Sequence, residues 1–455
     1  MPDRSKYFSI IVLLLVFFST FSFLQAENNS IDNNHSQNDS TFIYYTVKPG
    51  DNLYKIAGKH LKYSRAFFLS EFVEIIKKQN NIGKNNIIHG GDLLQIPVTQ
   101  NISKNKKHVF HNVMKGVYIN PNRLNSLRLR NIIAQYDTLD FNTVVLDFKN
   151  IYGNILFPTR NQLAIQNGCY KPVISNPQKL IAYFHEHDIS VHARIVMFKD
   201  TTMATAYPDW RPKLEPDTSQ TGKNKEKSYK WCNPNSAEVQ SYNLQIIEEV
   251  IKLGVDAIQL DYVRFPTESK LLRADYGIPD TVQRSQIITD FVKKVYELTQ
   301  RYKVPLTADI FGIVAFQNKA DVHNTGQDLT LLEPYLDRIH PMIYPSHFFG
   351  KFWNKAKPAD QPYYFIYRTC MRLKQILQNP QKVVPYLEGF SLYSLNPSKL
   401  AIILQLQAVR DSGLESGFLF WNGYSRYKYT WMGAKEYFLH PGEFYNVNNL
   451  IKKTR

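Results

Sequence analysis

Apolar residues follow two different rhythms along this chain, and the rhythm changes near residue 114. Between Phe42 and Val98 the pattern reads strand, helix, helix, strand. Tyr45-Thr46-Val47 is β-rich and ends at Pro49-Gly50, a turn pair, after which Asp51 stands where it can cap a helix opening at Leu53. A second helix is predicted near Phe72–Gln79, and Ile87–Pro97 supplies a turn and a closing strand. From Met114 onward, short β-rich runs alternate with stretches of helical period. The runs are Gly116–Pro121, Thr143–Lys149, Ser190–Phe198, Asp256–Pro266, Pro305–Gly312, Arg338–Pro345, Val383–Phe390 and Gly417–Gly423. Amphipathic stretches separate them, among them Leu124–Tyr136, Pro177–His187, Ala237–Leu253, Val282–Arg301, Tyr363–Leu377 and Pro397–Asp411, with a short one at Leu329–Leu336. Asn235 or Ser236 and Asn396-Pro397 are start signals, and Gly254 and Gly413 are stop signals. Strand and helix alternating eight times predict an α/β fold, a (β/α)8 TIM barrel, preceded by a small βααβ unit. An open doubly wound sheet is the rival, but no Gly-rich phosphate loop follows the first run.

The chain ends and the joints are polar. Arg4 and Lys6 precede an apolar run from Tyr7 to Phe23, and Leu24-Gln25-Ala26 closes it on a small residue. That order predicts a secretory signal over 1–26, with an uncleaved anchor as its rival. The expected organisation continues with a linker at 27–41, the small unit at 42–98, a linker at 99–113, the barrel at 114–440 and a basic tail at 441–455. This places the protein outside the cytoplasm, secreted, periplasmic or in the cell envelope, with membrane contact only through the signal or an anchor.

The net charge is +16, which suits an anionic partner, yet no compact Lys/Arg block of the nucleic-acid type stands out. Lys104, Lys106 and Lys107, and Lys452, Lys453 and Arg455, form short clusters in linker and tail. A nucleic-acid partner is therefore not expected. The 29 Tyr and 28 Phe suit stacking on sugar faces as well as core packing. Cys169, Cys232 and Cys370 are odd in number and lack metal spacing; buried thiols are expected, with one disulfide as the alternative. No metal and no cofactor is expected.

The small unit resembles a LysM domain. Its two ends, "YTVKPGDNLYKIA" and "IIHGGDLLQIP", carry that family's motifs. The resemblance implies binding of N-acetylglucosamine polymers such as peptidoglycan or chitin, between Gly50, Asp51, Asn52 and Leu53 on one loop and Ile88, His89 and Gly90 on the other. The stretch from Lys59 to Phe72 is longer than the family's pattern.

In a barrel, chemistry collects at the carboxyl ends of the strands. Asp147, Asp261, Asp309 and Glu388 stand at such ends inside apolar runs, where a charge is costly without a partner or a task. Alternation puts Gln259 and Asp261 on one face of their strand, and Ile258, Leu260 and Tyr262 on the other. Hydrolysis of a glycosidic bond needs two carboxyl groups flanking it. The stretches "IQLDYVRFP", "TADIFG" and "HPMIYPSHF", with Tyr207-Pro208-Asp209-Trp210 and Trp231-Cys232-Asn233-Pro234 in the long third loop, resemble the putative glycoside hydrolase family related to α-amylase-like barrels. That resemblance, which runs from Lys115 to Tyr429, implies Asp261 as nucleophile or base and Asp309 as general acid, with Glu388 as its substitute. Asp147 would bind a substrate hydroxyl or serve as a third carboxylate. Gln259 stands where the amylases carry an Arg. Arg194 and Arg264 are expected to hold an Asp ionised, with a structural ion pair as the alternative for Arg264. His192, Tyr344 and Trp421 are expected either to form a sugar subsite or to pack in the core. A non-catalytic polysaccharide-binding barrel is the alternative function, and a metal-dependent deacetylase a more distant one.

Overall fold

The computed structural model describes residues 41–64, 66–98, 109–214, 230–348, 357–390 and 398–440. The predicted signal, most of both linkers, the basic tail and the Asn396-Pro397 start signal lie outside the described residues. Among the described residues no helix is long and apolar enough to cross a membrane.

The N-terminal unit consists of β1 (Thr41–Thr46), α1 (Leu53–His60), α2 (Leu69–Gln79) and β2 (Leu93–Val98). The two strands pair antiparallel from Thr41 with Val98 to Thr46 with Leu93. Leu53, Ile56 and Ala57 of α1 and Phe72, Val73 and Ile76 of α2 close over Leu94 and Ile96 to form its core. Asn52 caps α1 through Lys55 N, a task the sequence suggested for Asp51. Asp51 is spent otherwise: it accepts hydrogen bonds from Tyr45 Oη (2.6 Å) and Lys48 N (3.0 Å).

Eight parallel strands follow: β3 (Met114–Ile119), β4 (Thr143–Lys149), β5 (Ser190–Val196), β6 (Ala257–Asp261), β7 (Leu306–Ile310), β8 (Arg338–Pro341), β9 (Tyr386–Glu388) and β10 (Gly417–Trp421). Each pairs with its sequence neighbour, and β10 pairs with β3. Parallel bridges from Ile339 to Val383 and from Met342 to Tyr386 join β8 to β9 and close the barrel. The main outer helices are α3 (Ser126–Leu139), α4 (Pro177–Glu186), α5 (Ala237–Ile251), α6 (Arg284–Tyr302), α7 (Pro362–Ile376), α8 (Lys399–Asp411) and α9 (Lys428–Leu439). The fifth crossover has only short turns of helix at Lys319–Thr325 and Leu329–Leu332. Ser236 caps α5 and Ser398 caps α8. Gly417 at the start of β10 has φ +97°, and a Cβ there would lie 1.8 Å from Met114 O, so only glycine lets the last strand meet the first.

Two shells of side chains result from strand alternation. Outward residues such as Val144, Leu146, Ile258 and Leu260 pack under the helices. Inward residues fill the lumen, with Met114, Tyr118, Val145, Tyr386 and Leu419 at its centre. A register shift between Asp147 and Lys149 breaks the alternation of β4. Asp147 then serves the lumen, while Lys149 pairs with Asp200 (2.9 Å) and Asn243 of α5 (3.0 Å) in the outer shell. All three cysteines are buried and free.

The extra length at 59–72 touches the barrel. Lys179 of α4 donates through Nζ to the carbonyls of Ser64 and Ala66, and lies over the Phe67 ring. Phe67 packs at 4.8 Å, centroid to centroid, on Tyr183 one turn along α4. Burial pushes the Lys179 ammonium down to about 8. The departure from the family's length is thus a docking element.

Candidate functional site

Strand ends β4 to β7 direct their last inward side chains at one guanidinium. Arg194, on β5 and 2 % exposed, donates Nη1 to Asp147 Oδ1 (2.5 Å) and both Nε (2.8 Å) and Nη2 (2.5 Å) to Asp261 Oδ2. Gln259 donates to Asp309 Oδ1 (2.7 Å) and to Tyr386 Oη (2.9 Å). Tyr118 Oη donates to Asp147 Oδ2 (2.7 Å), and its ring stacks on Trp421 at 3.8 Å. The chain leaves β6 through Tyr262 at φ +50°, an uncommon conformation for a bulky residue, and this brings the Tyr262 N–H onto Asp261 Oδ1 (2.6 Å).

Three carboxyl groups share one cation in a buried place, so they cannot all be ionised. Burial works against charge on Arg194, but Asp147 and Asp261 outweigh it and hold its pKa well above the usual value. Burial, and then the charge of Asp261, push Asp309 well above the ordinary 3.8, and Arg194 opposes this only partly. Burial also raises Asp147, against Arg194 and the Tyr118 hydroxyl. Asp309 is the carboxyl farthest from the guanidinium, at 3.8 Å from Nε, so of the three it gains least from that cation. Because Arg194 Nε is 2.8 Å from Asp261 Oδ2 and 3.8 Å from Asp309 Oδ2, those oxygens lie no more than about 6.6 Å apart.

A cavity of about 410 Å³ opens above this cluster, lined by Arg194, Asp261, Tyr262, Arg264, Phe311, Gly312, Ile313, Met342, Tyr344, His347, Phe348 and Trp421. A second, of about 590 Å³, adjoins it across His347 and Trp421 and carries Glu388, Phe390, Asn422, Tyr424 and Arg426. Glu388 accepts the Ser346 N–H (3.1 Å), and burial pushes its carboxyl up to about 7. The Tyr344 hydroxyl is buried with no partner among the described residues and so is free to meet a ligand hydroxyl. Two apolar-walled cavities with a few convergent polar groups suit an extended sugar chain. Among the described residues no group of three or more His, Cys, Asp or Glu side chains is arranged to hold a metal.

The structure therefore brings Arg194, Asp261, Tyr344 and Trp421 to one cavity with Arg264 in its wall, buries Asp147 and Asp309 behind them against Arg194, and places Glu388 in the adjoining cavity. His192 is not among them. It lies two residues before Arg194 on β5, fully buried, with its ring 5.6 Å from Phe110 and parallel to it, deep in the lumen. Burial holds it well below the usual imidazole range, so it is a neutral core residue. Arg264 forms no ion pair with Asp261 or any other described residue. Its NH1 donates to Phe265 O, and its charge lies against aromatic rings. Tyr118, Gln259 as a donor, Phe311 and His347 were missed as site residues. Tyr118 had a legible signal, being a polar aromatic at the end of the first β-run.

In the N-terminal unit the two expected loops meet, with Val47 N–H bonded to Asp92 O and Gly91 N–H to Val47 O. Gly50, His89 and Gly90 are exposed there, and Ile88 is half-buried. Leu53 is 1 % exposed and belongs to the core, and the side chains of Asp51 and Asn52 are spent on the turn and the helix cap. The surface that these loops offer is backbone, His89 and the exposed Asn52, while Leu53 lies in the core.

Comparison with known proteins agrees with this geometry. A family model described as "LysM domain" matches residues 45–97, and one described as "putative glycosyl hydrolase domain" matches residues 116–427. No curated protein matches the chain. Among solved structures, the PgaB (BpsB) glycoside hydrolase domain from Bordetella bronchiseptica superposes with a TM-score of 0.52 at 11% identity, covering 71% of this chain and 98% of that one. A hypothetical protein from Ruminiclostridium thermocellum aligns at 23% identity over 42% of this chain and 96% of its own, with a TM-score of 0.36. The spore cortex-lytic enzyme SleL of Bacillus megaterium aligns at 12% identity over 86% of each chain, with a TM-score of 0.44. The likeness to the Bordetella domain is one of fold. The chain, a LysM domain followed by a TIM barrel, belongs to the "putative glycosyl hydrolase domain" family and is a carbohydrate-active protein.

Proposed function

We propose that the barrel hydrolyses glycosidic bonds of a polysaccharide outside the cytoplasm while the LysM domain holds the same or a neighbouring polymer. The observation that carries this reading is a carboxylate, Asp261, fixed by Arg194 and the Tyr262 amide on the wall of a cavity, with the carboxyl groups of Asp147 and Asp309 buried beside it. Asp261 acts as nucleophile or base, because two N–H donors of Arg194 stabilise its ionised form. Glu388 is the better placed proton donor. It lines the adjoining cavity and, with a pKa of about 7, is at least half protonated up to neutral pH. Asp309 is 1 % exposed and borders neither cavity, so it serves best as a buried proton-holding partner that keeps negative charge from accumulating. Asp147 anchors Arg194, and Trp421 and Tyr344 offer a stacking face and a free hydroxyl to sugar rings. The N-terminal signal pattern and the LysM domain support a place in the cell envelope or beyond it.

The test uses Asp261→Asn, Glu388→Gln and Asp309→Asn with peptidoglycan and chitin digested under mass readout, then with a fluoride or dinitrophenyl glycoside of the sugar released. Asp261→Asn should lose activity by about 10³-fold or more on every substrate. Glu388→Gln should fail on the polymer but keep activity on the activated glycoside, whose leaving group needs no proton. Full activity of Asp261→Asn would remove the hydrolase reading and favour a binding barrel. An Asp309→Asn variant with the profile expected of Glu388→Gln would move the acid to Asp309.

A further inference from the structure

One cation in the wall of the Asp261 cavity has no anion. Arg264 is 7 % exposed and lines the cavity beside Asp261. Its guanidinium lies 4.4 Å from the Phe311 ring centre, 5.1 Å from that of Trp231 and 5.5 Å from that of Tyr262. A guanidinium has five N–H donors, and among the described residues only Nη1 is engaged, with Phe265 O at 2.9 Å. The carboxylates nearest in effect, Asp261 and Glu268, make no ion pair with it. Asp261 is taken by Arg194 and the Tyr262 amide, and Glu268 accepts the Trp231 indole N–H at 2.9 Å. A second cation, Lys199, lies over the same Tyr262 ring at 4.7 Å. A buried charge is costly unless paired, and aromatic faces recover only part of that cost. Arg194, by contrast, is fully matched by Asp147 and Asp261, so the two arginines of the site have different tasks.

We propose that Arg264 binds the carboxylate of an acidic sugar, so that the substrate is a polysaccharide whose repeating unit carries a carboxylate near the cleaved bond. Its location at the reacting centre rests on the hydrolase reading above, and the fork geometry of a guanidinium suits bidentate binding of a carboxylate. The chain's net charge of +16 favours the same class of polymer at longer range.

The experiment measures binding and cleavage of two soluble probes by the full-length protein. One is peptide-free peptidoglycan glycan strands, in which every second sugar carries a lactyl carboxylate. The other is the same strands with those carboxylates reduced to alcohols. Wild-type protein should prefer the acidic strands by about tenfold or more, the worth of one charge-assisted contact. Arg264→Gln should cut that ratio by about tenfold, leaving only what the overall charge supplies, and Arg264→Lys should keep part of the difference. LysM binding is common to every arm and cancels in the ratio. A wild-type ratio near one overturns the proposal without any variant, as does a ratio that Arg264→Gln leaves unchanged. Preference without cleavage would sink the hydrolase reading and keep the carboxylate site; cleavage without preference would do the reverse.

Discussion

Replacing Arg194 with Met tests the electrostatic core of the site. Methionine fills most of the space but leaves Asp147 and Asp261, which are 4 % and 3 % exposed, without their cation. Removing one partner from a buried pair costs about 3–5 kcal/mol, and two carboxylates here depend on one guanidinium, so the upper half of that range is expected at pH 8. The cost should depend on pH. Asp147 and Asp309 already have folded-state pKa values above the ordinary 3.8, so the folded chain holds protons that the unfolded chain releases. Such groups lose stability as pH rises from the unfolded value through the folded one, and without Arg194 that loss grows. Lowering the pH to 4 protonates the unpaired carboxyl groups of the folded variant, so the difference between wild type and variant should shrink well below its pH 8 value. Denaturant unfolding can follow the barrel by itself, because all five Trp lie between residues 210 and 431 and none lies in the LysM domain. A difference that stays constant from pH 4 to pH 8, or that is under 1 kcal/mol at pH 8, would refute the shared-cation account.

Glu388, raised to about 7 from an ordinary 4.5, penalises the folded state progressively from pH 4.5 to 7, by about 3 kcal/mol at most. Wild-type stability should therefore fall across that window relative to Glu388→Gln, and parallel stability–pH curves would contradict the assignment. The docking of the LysM domain predicts a narrow distance distribution between spin labels on Lys84→Cys and Lys293→Cys, since both positions are exposed and the native cysteines are buried. Adding Phe67→Ala with Lys179→Ala should broaden that distribution without moving the barrel's own unfolding midpoint; an unchanged distribution would mean that these contacts do not set the arrangement.

Much of this protein was legible in its sequence because the signals are local. The alternation of β-rich and amphipathic segments marked all eight barrel strands, because each strand needs one face in the lumen and one under helices. The same alternation separated Gln259 and Asp261 from Ile258 and Leu260, as observed, whereas Tyr262, expected on the face of Ile258 and Leu260, lines the Asp261 cavity because the strand ends at Asp261 and the chain turns there at φ +50°. The Pro-Gly turn and the closing Gly-Gly turn marked the βααβ order from local turn chemistry, and the resemblance of the two end motifs pointed to a LysM domain. What needed the tertiary structure was every pairing between strands. Register set Arg194 of β5, not a residue of β6, against Asp261, because residues 67 apart in the chain meet only when the sheet forms. A one-residue register shift on β4 separated Asp147 from Lys149. Depth along a strand decided that His192 is core while Arg194, two residues on, is site, since alternation assigns a face but not a height. Whether Arg264 was paired or free likewise depended on distances to Asp261 and Glu268, which are set by loop packing that no single stretch of the chain encodes.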